Sequence, residues 1–323
     1  MFEYFPVSSS EFDGPVLVTG AGGCIGSWVL ALLERAGVEV HAFDLQIDKR
    51  RPSLLMNDEA LNRVVWHAGD IADTKSVHSV VERSCAKAII HLAALQVPFC
   101  RADPVAGALV NVVGTVNVFE AAKAYGVQRL TYASSVAAYG ALDNGGAMST
   151  LYGAYKYCNE QTAKVYSEED GVHSVGIRPG VVYGVGRDQG MTSKTTVAIL
   201  AAAAGMHYTI PFSGNVSWLF AGEVASAFIR SVAKIRTGAP VFDLSGKIAT
   251  VQEGIDCIQA LSPKTSIAFT GQPLAFPMDH SDEPLKAFIG DYGQIPLKAG
   301  IEDTLLRFQQ LLIENKISAS QLQ

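Results

Sequence analysis

Cysteine and histidine are sparse in this sequence, and neither is spaced for a disulfide framework or a metal site. The five cysteines among 323 residues include no C-x-x-C pair, and the seven histidines show no H-E-x-x-H spacing. We therefore predict no disulfide scaffold and no metal site. The cysteines are interpreted as small buried hydrophobes in a reducing compartment, which predicts a cytoplasmic protein.

Basic charge and long apolar runs are also lacking. Lys and Arg total 25 against 31 Asp and Glu, so the formal net charge is −6, which disfavours a nucleic-acid partner. The longest apolar run, Val197–Met206, has ten residues and is too short to cross a bilayer. Since no basic segment precedes an apolar one near residue 1, we also expect no signal peptide and no membrane partner.

Short apolar segments alternate with helical segments along the first 180 residues. Strands joined by helical crossovers indicate a parallel sheet covered on both faces, so we predict a doubly wound α/β fold of the Rossmann type. The predicted strands are Pro15–Thr19, Val38–Phe43, Arg63–Trp66, Lys87–His91, Arg129–Ala133 and Val172–Ile177. The helices between them include Cys24–Ala36, Thr74–Ser84, Pro104–Tyr125 and Leu151–Asp170.

The rhythm changes after Gly180, where loops lengthen and contain proline and glycine. We predict a Rossmann domain over residues 14–180 and a smaller C-terminal lobe over residues 181–323, interleaved with the first. Residues 1–13 are predicted to form a peripheral arm. The helices predicted in the smaller lobe are Thr192–Ala204, Glu223–Lys234, Val251–Leu261 and Ile301–Glu314.

A glycine-rich turn follows the first strand. Gly20, Gly23 and Gly26 have the spacing G-x-x-G-x-x-G and stand between a predicted strand and a predicted helix. Glycine suits a tight turn, close approach of the backbone to a pyrophosphate, and packing of the helix on the sheet. The N–H groups at the start of the helix favour phosphate. The segment therefore predicts a dinucleotide site, with a purely structural turn as the alternative.

Asp44 ends the second strand, 18 residues after Gly26. A carboxylate there can accept hydrogen bonds from the ribose hydroxyls of adenosine and would repel a 2′-phosphate, so it favours NAD over NADP. The alternative is a helix cap or a solvated side chain. Lys49, Arg50 and Arg51 follow closely and could instead form a phosphate clamp.

Tyr152 and Lys156 are four residues apart on a predicted helix, so they share one face. Ser134 and Ser135 follow the fifth strand at the carboxyl edge of the sheet, where open α/β folds bind ligands. A neighbouring ammonium lowers the pKa of a tyrosine, which is ordinarily about 10. The pair therefore indicates an acid/base site, although such a pair alone is often structural.

Together these segments resemble the extended short-chain dehydrogenases/reductases, the family of NAD-dependent sugar epimerases and dehydratases. The resemblance covers about residues 15–190 and keeps the order of the family's motifs. The matching segments are TGAGGCIG (19–26), Asp44, GDIAD (69–73), HLAA (91–94), NVVGTVNVFEAA (111–122), YASSVAAYG (132–140), YGAYK (152–156) and RPGVVYG (178–184).

The resemblance implies roles for the matching residues. Tyr152 is expected to be the catalytic acid/base, and Lys156 to bind the nicotinamide ribose and lower the phenol pKa. Ser135, with Ser134 as the alternative, is expected to hydrogen-bond the reacting oxygen. Local backbone geometry is the alternative role for Asn111 and Pro179. The expected NAD-binding residues are Gly20, Gly22, Gly23, Cys24, Ile25, Gly26, Asp44, Asp70, Ile71, Ala93, Ala94, Asn111, Ser134, Tyr152, Lys156 and Pro179.

Departures from the family's motifs restrict the substrate. Val136 and Ala137 stand where the dehydratases carry an Asp-Glu pair, and Val216 stands where nucleotide-sugar enzymes carry an arginine. We therefore expect a small polyol, sugar acid or hydroxy-ketone as substrate. Arg187 could hold a carboxylate or phosphate, or pair with Asp188 or Glu223. The expected substrate-binding residues are Ser135, Arg187, Gln189, Ser193 and Trp218, with Thr192 beside them.

Three functions are weighed on these residues. The first is an NAD-dependent oxidoreductase that moves a hydride between a secondary alcohol carbon and nicotinamide. The second is an epimerase that keeps its cofactor and returns the hydride to the other face of a transient ketone. The third is a dinucleotide-binding protein without turnover, against which the Ser-Tyr-Lys set argues. The resemblance also implies a homodimer formed through Pro104–Tyr125 and Leu151–Asp170.

Overall fold

A seven-stranded parallel sheet forms the centre of the computed structural model, which describes residues 1–142, 149–275 and 280–318. The strand order is β10-β6-β5-β4-β1-β2-β3, so the chain runs outward from β1 in both directions, as in a doubly wound sheet. The seven strands are β1 Val16–Thr19, β2 Val40–Asp44, β3 Val65–Ala68, β4 Ala88–His91, β5 Arg129–Ala133, β6 Val175–Pro179 and β10 Val241–Leu244.

Helices cover both faces of this sheet, which confirms the predicted Rossmann fold. Side chains alternate along β1, because Val16 and Val18 face one core with α1 and α9, whereas Leu17 faces a second core with α3 and α6. The helices are α1 Cys24–Arg35, α2 Asp58–Arg63, α3 Thr74–Ser84, α4 Val97–Ala102, α5 Pro104–Ala108, α6 Gly114–Tyr125, α7 Leu151–Glu169, α8 Lys194–Ala203, α9 Ala221–Val232, α10 Val251–Leu261, α11 Glu283–Ile289 and α12 Leu297–Ile313.

The C-terminal part of the chain adds two small sheets and also contributes to the large one. β10 pairs in parallel with β6, so residues well beyond 180 complete the central sheet. A single cut at 180/181 therefore does not separate the central sheet from the smaller lobe. The domain boundary at 180/181 stays a prediction. The small sheets contain β7 Val182–Tyr183, β9 Asn215–Phe220 and β11 Lys247–Thr250, and β8 Tyr208–Ile210 with β12 Ile267–Phe269.

The predicted long helix Pro104–Tyr125 has a π-helical segment, Leu109–Val113, between α5 and α6. A π turn widens the helix and rotates the residues that follow, and such turns are frequent at functional sites. Among the described residues, Pro104–Tyr125 is also the one helix that is long and apolar enough to cross a membrane. Half of its most apolar stretch is buried inside the fold, and core helices meet the same criterion.

The N-terminal arm lies at the surface, as predicted, except that one of its aromatic residues is buried. Phe5 is 1% exposed, and its ring stacks on that of Phe220 at 5.9 Å. Arg230 donates to the carbonyl of Pro6 and to Glu11. Phe5 packs on Phe220 and Gly222, and the Phe2 ring lies 5.5 Å from that of Trp28 on α1. These partners are distant in sequence, so a local sequence pattern does not show them.

Candidate active site

The glycine-rich turn connects β1 to α1 without space for side chains. Gly20 has φ +67°, and a Cβ there would lie 2.6 Å from the backbone nitrogen of Ala93. A Cβ on Gly26 would lie 2.3 Å from the carbonyl oxygen of Gly20. Because α1 begins at Cys24, its first N–H groups lack partners within the helix and face the end of the sheet. This is the backbone cradle that a pyrophosphate needs.

Asp44 lies beside this turn at the end of β2. Its carboxylate accepts hydrogen bonds from the backbone nitrogens of Gly22, at 2.9 Å, and Leu45, at 2.8 Å. These bonds orient the carboxylate at the edge of the cavity, where ribose hydroxyls of adenosine could reach it.

The three basic residues after Asp44 are already engaged. Lys49 lies 5.5 Å from the centre of the Trp66 ring, and Arg50 donates to Asp48. Arg51 pairs with Asp188 and donates to the carbonyl of Gly22. The phosphate-clamp alternative would require these contacts to rearrange, so the geometry favours NAD.

A cavity of about 550 Å³ runs from the glycine turn past the carboxyl ends of the strands to α7. It brings together residues that the sequence analysis chose from eight separate segments. The predicted residues that line it are Gly20, Gly22, Gly23, Cys24, Ile25, Gly26, Asp44, Asp70, Ile71, Ala93, Ala94, Ser134, Ser135, Tyr152, Lys156, Pro179, Arg187, Gln189 and Thr192.

Tyr152 and Lys156 lie side by side in the first turns of α7, which begins where Thr150 accepts the N–H of Gly153. The Lys156 ammonium donates to the carbonyl of Ala133 at 2.6 Å and lies 5.6 Å from the centre of the Tyr152 ring. Burial lowers the pKa of Lys156 to about 8. Burial raises the pKa of Tyr152, whereas the Ser135 hydroxyl and the positive charge of Arg187 lower it.

The two serines after β5 have different partners. Ser134 donates to the carboxylate of Glu160 and is 2% exposed. The Ser135 hydroxyl accepts the N–H of Ala137 at 3.2 Å and lies close enough to the Tyr152 phenol to lower its pKa. A hydroxyl beside the phenol is placed to hold a substrate oxygen, so the geometry favours Ser135 over Ser134.

Arg187 points into the cavity from the loop after β7. One terminal nitrogen donates to Thr192 at 3.1 Å, and the buried Nε has no hydrogen-bond partner among the described residues. The alternative pairings of Arg187 are not formed, because Asp188 pairs with Arg51 and Glu223 accepts backbone N–H groups. An incompletely bonded guanidinium of this kind suits an anionic ligand.

Three predicted residues lie outside the cavity lining. Trp218 is 2% exposed and packs edge-on against Tyr183, with its ring against Gly254. Ser193 is buried and donates to the carbonyl of Gly190. Both assignments require correction, because these side chains are directed into the protein interior.

Asn111 also requires correction as a cofactor contact. Its side-chain amide accepts the N–H of Leu95 at 2.7 Å and donates to the carbonyl of Leu95 at 2.9 Å. It lies on the π-helical segment and is 1% exposed. Asn111 therefore holds the loop after β4, and that loop lines the cavity.

Several cavity residues were missed by sequence reasoning. Leu95 and Gln96 continue the loop after β4, Phe99 lies on α4 directly after that loop, and Leu45 and Gln46 follow Asp44. Their position directly after strands at the carboxyl edge of the sheet was the available signal. In the described part of the chain, no group of three or more His, Cys, Asp or Glu residues is placed to hold a metal.

A doubly wound parallel sheet with a glycine turn at its carboxyl edge and a cavity beside that turn is typical of dinucleotide-binding proteins. The family model "NAD dependent epimerase/dehydratase family" matches residues 16–244. The chain belongs to this family, and its cofactor is NAD. The glycine cradle, which leaves no room for a Cβ, and the acidic residue that ends β2 both fit this cofactor.

The curated relatives of this chain include 4-epimerases. UDP-glucuronate 4-epimerase 3 of Arabidopsis thaliana is 32% identical over 182 residues, which cover 52% of this chain and 42% of the relative. The match thus spans less than half of that relative's length.

Two solved structures share the fold. A Thermus thermophilus UDP-glucose 4-epimerase in complex with NAD has a TM-score of 0.74 and 24% identity, covering 91% of this chain and 99% of its own. A partial-consensus L-threonine 3-dehydrogenase has a TM-score of 0.78 and 23% identity, covering 92% of this chain and 99% of its own. At these identities the likeness concerns the fold alone.

Proposed function

We propose that this protein is an NAD-dependent oxidoreductase that moves a hydride between a secondary alcohol carbon and nicotinamide. The observation that carries the proposal is that Ser135, Tyr152 and Lys156 line one cavity with the glycine turn. Neither a structural role nor simple dinucleotide binding requires a tyrosine, a lysine and a serine to converge at the carboxyl edge of the sheet.

Tyr152, Ser135 and Lys156 have separate roles in the proposed reaction. Tyr152 takes the hydroxyl proton of the substrate onto its phenolate oxygen, and Ser135 holds the same substrate oxygen by a hydrogen bond. Lys156 binds the nicotinamide ribose, and its ammonium favours the phenolate. NAD, when bound, accepts the hydride from the carbon that carries the hydroxyl. Arg51 and Cys24 border the phosphate end of the cavity and Pro179 borders the other end.

An epimerase is the second candidate, and one feature of the cavity favours it. The loop after β7 covers the glycine turn, because the carbonyl of Val185 accepts the Trp28 indole N–H at 2.9 Å and Asp188 pairs with Arg51. Such a cover slows cofactor release, and a retained cofactor suits a reaction that returns the hydride. The similarity to a 4-epimerase agrees with this candidate. Purified protein that contains bound dinucleotide but does not reduce added NAD would favour it.

The substrate class that we propose is a small hydroxy acid or sugar acid. Arg187 and Thr192 offer donors for one carboxylate beside Tyr152. Val216, at the position where nucleotide-sugar enzymes carry an arginine, is fully buried, and Trp218 is directed inward. That strand therefore supplies no cation for a diphosphate. Micromolar binding of any uridine or guanosine diphosphate sugar in calorimetric titrations would overturn this substrate class.

The proposed reaction is tested with a panel of sugars, sugar acids and hydroxy acids, followed by the absorbance of reduced nicotinamide. Tyr152→Phe should lower turnover by about 10²–10⁴-fold, since general acid–base catalysis contributes that much, while NAD affinity changes little. Tyr157→Phe is the matched control, because Tyr157 lies on the same helix outside the cavity lining. A Tyr152→Phe enzyme that keeps more than half its activity would refute the assignment.

We also propose a cytoplasmic homodimer. Five free cysteines suit a reducing compartment. Val105, Leu109 and Val113 are exposed along α5 and the π-helical segment, and Leu151 and Val165 are exposed on α7. Exposed apolar side chains on two helices suit a helix-to-helix interface. Val105→Glu should give a monomer in sedimentation velocity, whereas Leu306→Glu, an exposed leucine on α12, should not. A monomeric wild-type protein would overturn the proposal.

A further inference from the structure

A buried carboxylate lies directly behind the Ser-Tyr-Lys cluster. Glu160 follows Lys156 by four residues on α7, as Lys156 follows Tyr152, so the three share one face of the helix. The side chain of Glu160 is 3% exposed and is not part of the cavity lining. A carboxylate in such a position needs partners, because burying an unpaired charge is strongly unfavourable.

Glu160 has partners on the two strands that carry the site. It accepts the hydroxyl of Ser134, the residue before Ser135 at the end of β5. Arg178 on β6 binds both carboxylate oxygens, with Nε 2.7 Å from Oε1 and one terminal nitrogen 2.6 Å from Oε2. The backbone N–H of Ser134 also donates to the carbonyl of Ile177, beside Arg178. Glu160 thus joins β5, β6 and α7 at one point.

Arg178 extends this network toward β10. Its guanidinium lies over the Tyr139 ring at 4.6 Å and is 3.7 Å from Asp243, which accepts the Tyr139 hydroxyl at 2.6 Å. Tyr139 follows Ser135 by four residues, so the segment that carries Ser135 is fixed at both ends. The arrangement holds the serine segment against the helix that carries Tyr152 and Lys156.

We infer that Glu160 and Arg178 are positioning residues for the reaction, which hold Ser135 against Tyr152 and balance the charge behind Lys156. The inference rests on the proposed function, since it assigns these residues a purpose only if Tyr152 transfers the proton. Neither side chain lines the cavity, so both act through their neighbours. Their opposite charges give them opposite electrostatic effects on the phenol.

The groups that face Tyr152 and Lys156 define this electrostatic balance. Lys156 and Arg187 are the cations near the phenol, and Cys100 on α4 faces both Tyr152 and Lys156. His91 on β4 also faces Lys156, and burial lowers its pKa to about 3, so it is neutral. Glu160 is the anion that favours the charged form of Lys156. Arg178 neutralises that anion, and removal of either partner leaves a net charge behind the ammonium.

The test measures the pKa of Tyr152 directly, in the NAD complex and without substrate. Protein labelled with ¹³C at the tyrosine Cζ is titrated by NMR, and the resonance absent from Tyr152→Phe is assigned to Tyr152. Arg178→Met should raise the Tyr152 pKa by about one unit, because an unneutralised carboxylate remains. Glu160→Gln should lower it by a similar amount. The double variant should return it to within about 0.3 unit of wild type.

Turnover and stability separate positioning from a purely structural role. Each single variant should lower kcat at least about tenfold, with a smaller effect on KM. Glu160→Gln weakens the hold on Ser134, and Arg178→Met releases Glu160, which holds Ser134. Arg230→Met, which removes the pairing with Glu11 far from the cavity, is the control and should change the melting temperature without moving the Tyr152 resonance. Single variants that fail to fold are replaced by Arg178→Lys and Glu160→Asp, for which partial recovery of the pKa is expected.

Tyr152 shifts that have the same sign in both single variants would overturn the inference, and so would the absence of any shift. If Tyr152→Phe at the same time abolishes turnover, the proposed reaction stands and the positioning role alone fails. If Tyr152→Phe remains active, the proposed reaction itself fails. The two outcomes are therefore distinguishable.

Discussion

Replacing Asp44 by Asn should shift the cofactor preference from NAD toward NADP. In the wild-type protein the carboxylate is held by the N–H groups of Gly22 and Leu45, so it cannot easily move away from a 2′-phosphate. Two unit charges about 5 Å apart repel by about 3 kcal/mol at an effective dielectric constant of about 20. Salt reduces this repulsion to about 2 kcal/mol, which corresponds to a roughly thirtyfold weaker affinity for NADP.

Asn keeps one acceptor oxygen for the N–H of Gly22 but removes the charge. The variant should bind NAD about tenfold more weakly, since a hydrogen bond to a charged group contributes about 1.5–3 kcal/mol and a neutral one less. It should bind NADP more tightly than wild type, because the repulsion is gone. The ratio of the two dissociation constants should therefore change by at least about a hundredfold.

Calorimetric titrations of protein stripped of bound dinucleotide measure both constants, at low and at high salt. The wild-type discrimination should weaken at high salt, whereas that of the variant should not. Asp58→Asn, an exposed change outside the cavity, is the control. Equal wild-type affinity for NAD and NADP, or an unchanged ratio in Asp44→Asn, would refute the reasoning and would point to Lys49–Arg51 as a clamp.

Three further changes have expected outcomes. Wild type should gain stability relative to Lys156→Met as pH rises from about 8 to 10.5. In this window Lys156 stays protonated in the unfolded chain but loses its proton in the folded protein, because burial lowers its pKa to about 8. Urea unfolding of both proteins across this window measures the difference, and a stability difference that does not change with pH would contradict the expectation. Gly20→Ala should lower the free energy of unfolding by more than about 2 kcal/mol and abolish NAD binding. The reason is that alanine is strained at φ +67° and its Cβ would lie only 2.6 Å from the backbone nitrogen of Ala93. Thermal melts of the variant with and without NAD measure both effects. Trp218→Phe should leave NAD affinity and turnover unchanged and lower stability by only about 1.5 kcal/mol, since its indole nitrogen has no hydrogen-bond partner among the described residues. A large change in KM would restore Trp218 as a substrate contact.

The cofactor end of the site could be predicted because its determinants are local. Gly20 directly follows β1, Asp44 ends β2 and Gly26 lies in the first turn of α1, and the carboxyl ends of parallel strands meet at one edge of the sheet. Tyr152 and Lys156 needed only helical spacing to share a face. Strand ends and helical spacing together were enough to place these residues in the cavity.

The residues that could not be predicted depend on contacts from distant parts of the chain. The resemblance to the family places Trp218 near the substrate, but the direction of its ring is set by Tyr183 and by Gly254 on α10. The π turn rotates Asn111 toward Leu95, and no local pattern indicates that turn. The role of Glu160 became visible only with its partner on β6 in place.

The N-terminal arm has a consequence for synthesis of the protein. Phe5 needs Phe220 and Gly222 for its buried position, and the carbonyl of Tyr4 packs closely against Gly293. Phe5 is therefore synthesised well before the residues that bury it. At about 5–20 residues per second, the arm waits on the order of fifteen seconds to a minute for its binding surface. During that time Phe5 is exposed, so the nascent chain presents an apolar, chaperone-accessible segment until Phe220, Gly222 and Gly293 have emerged.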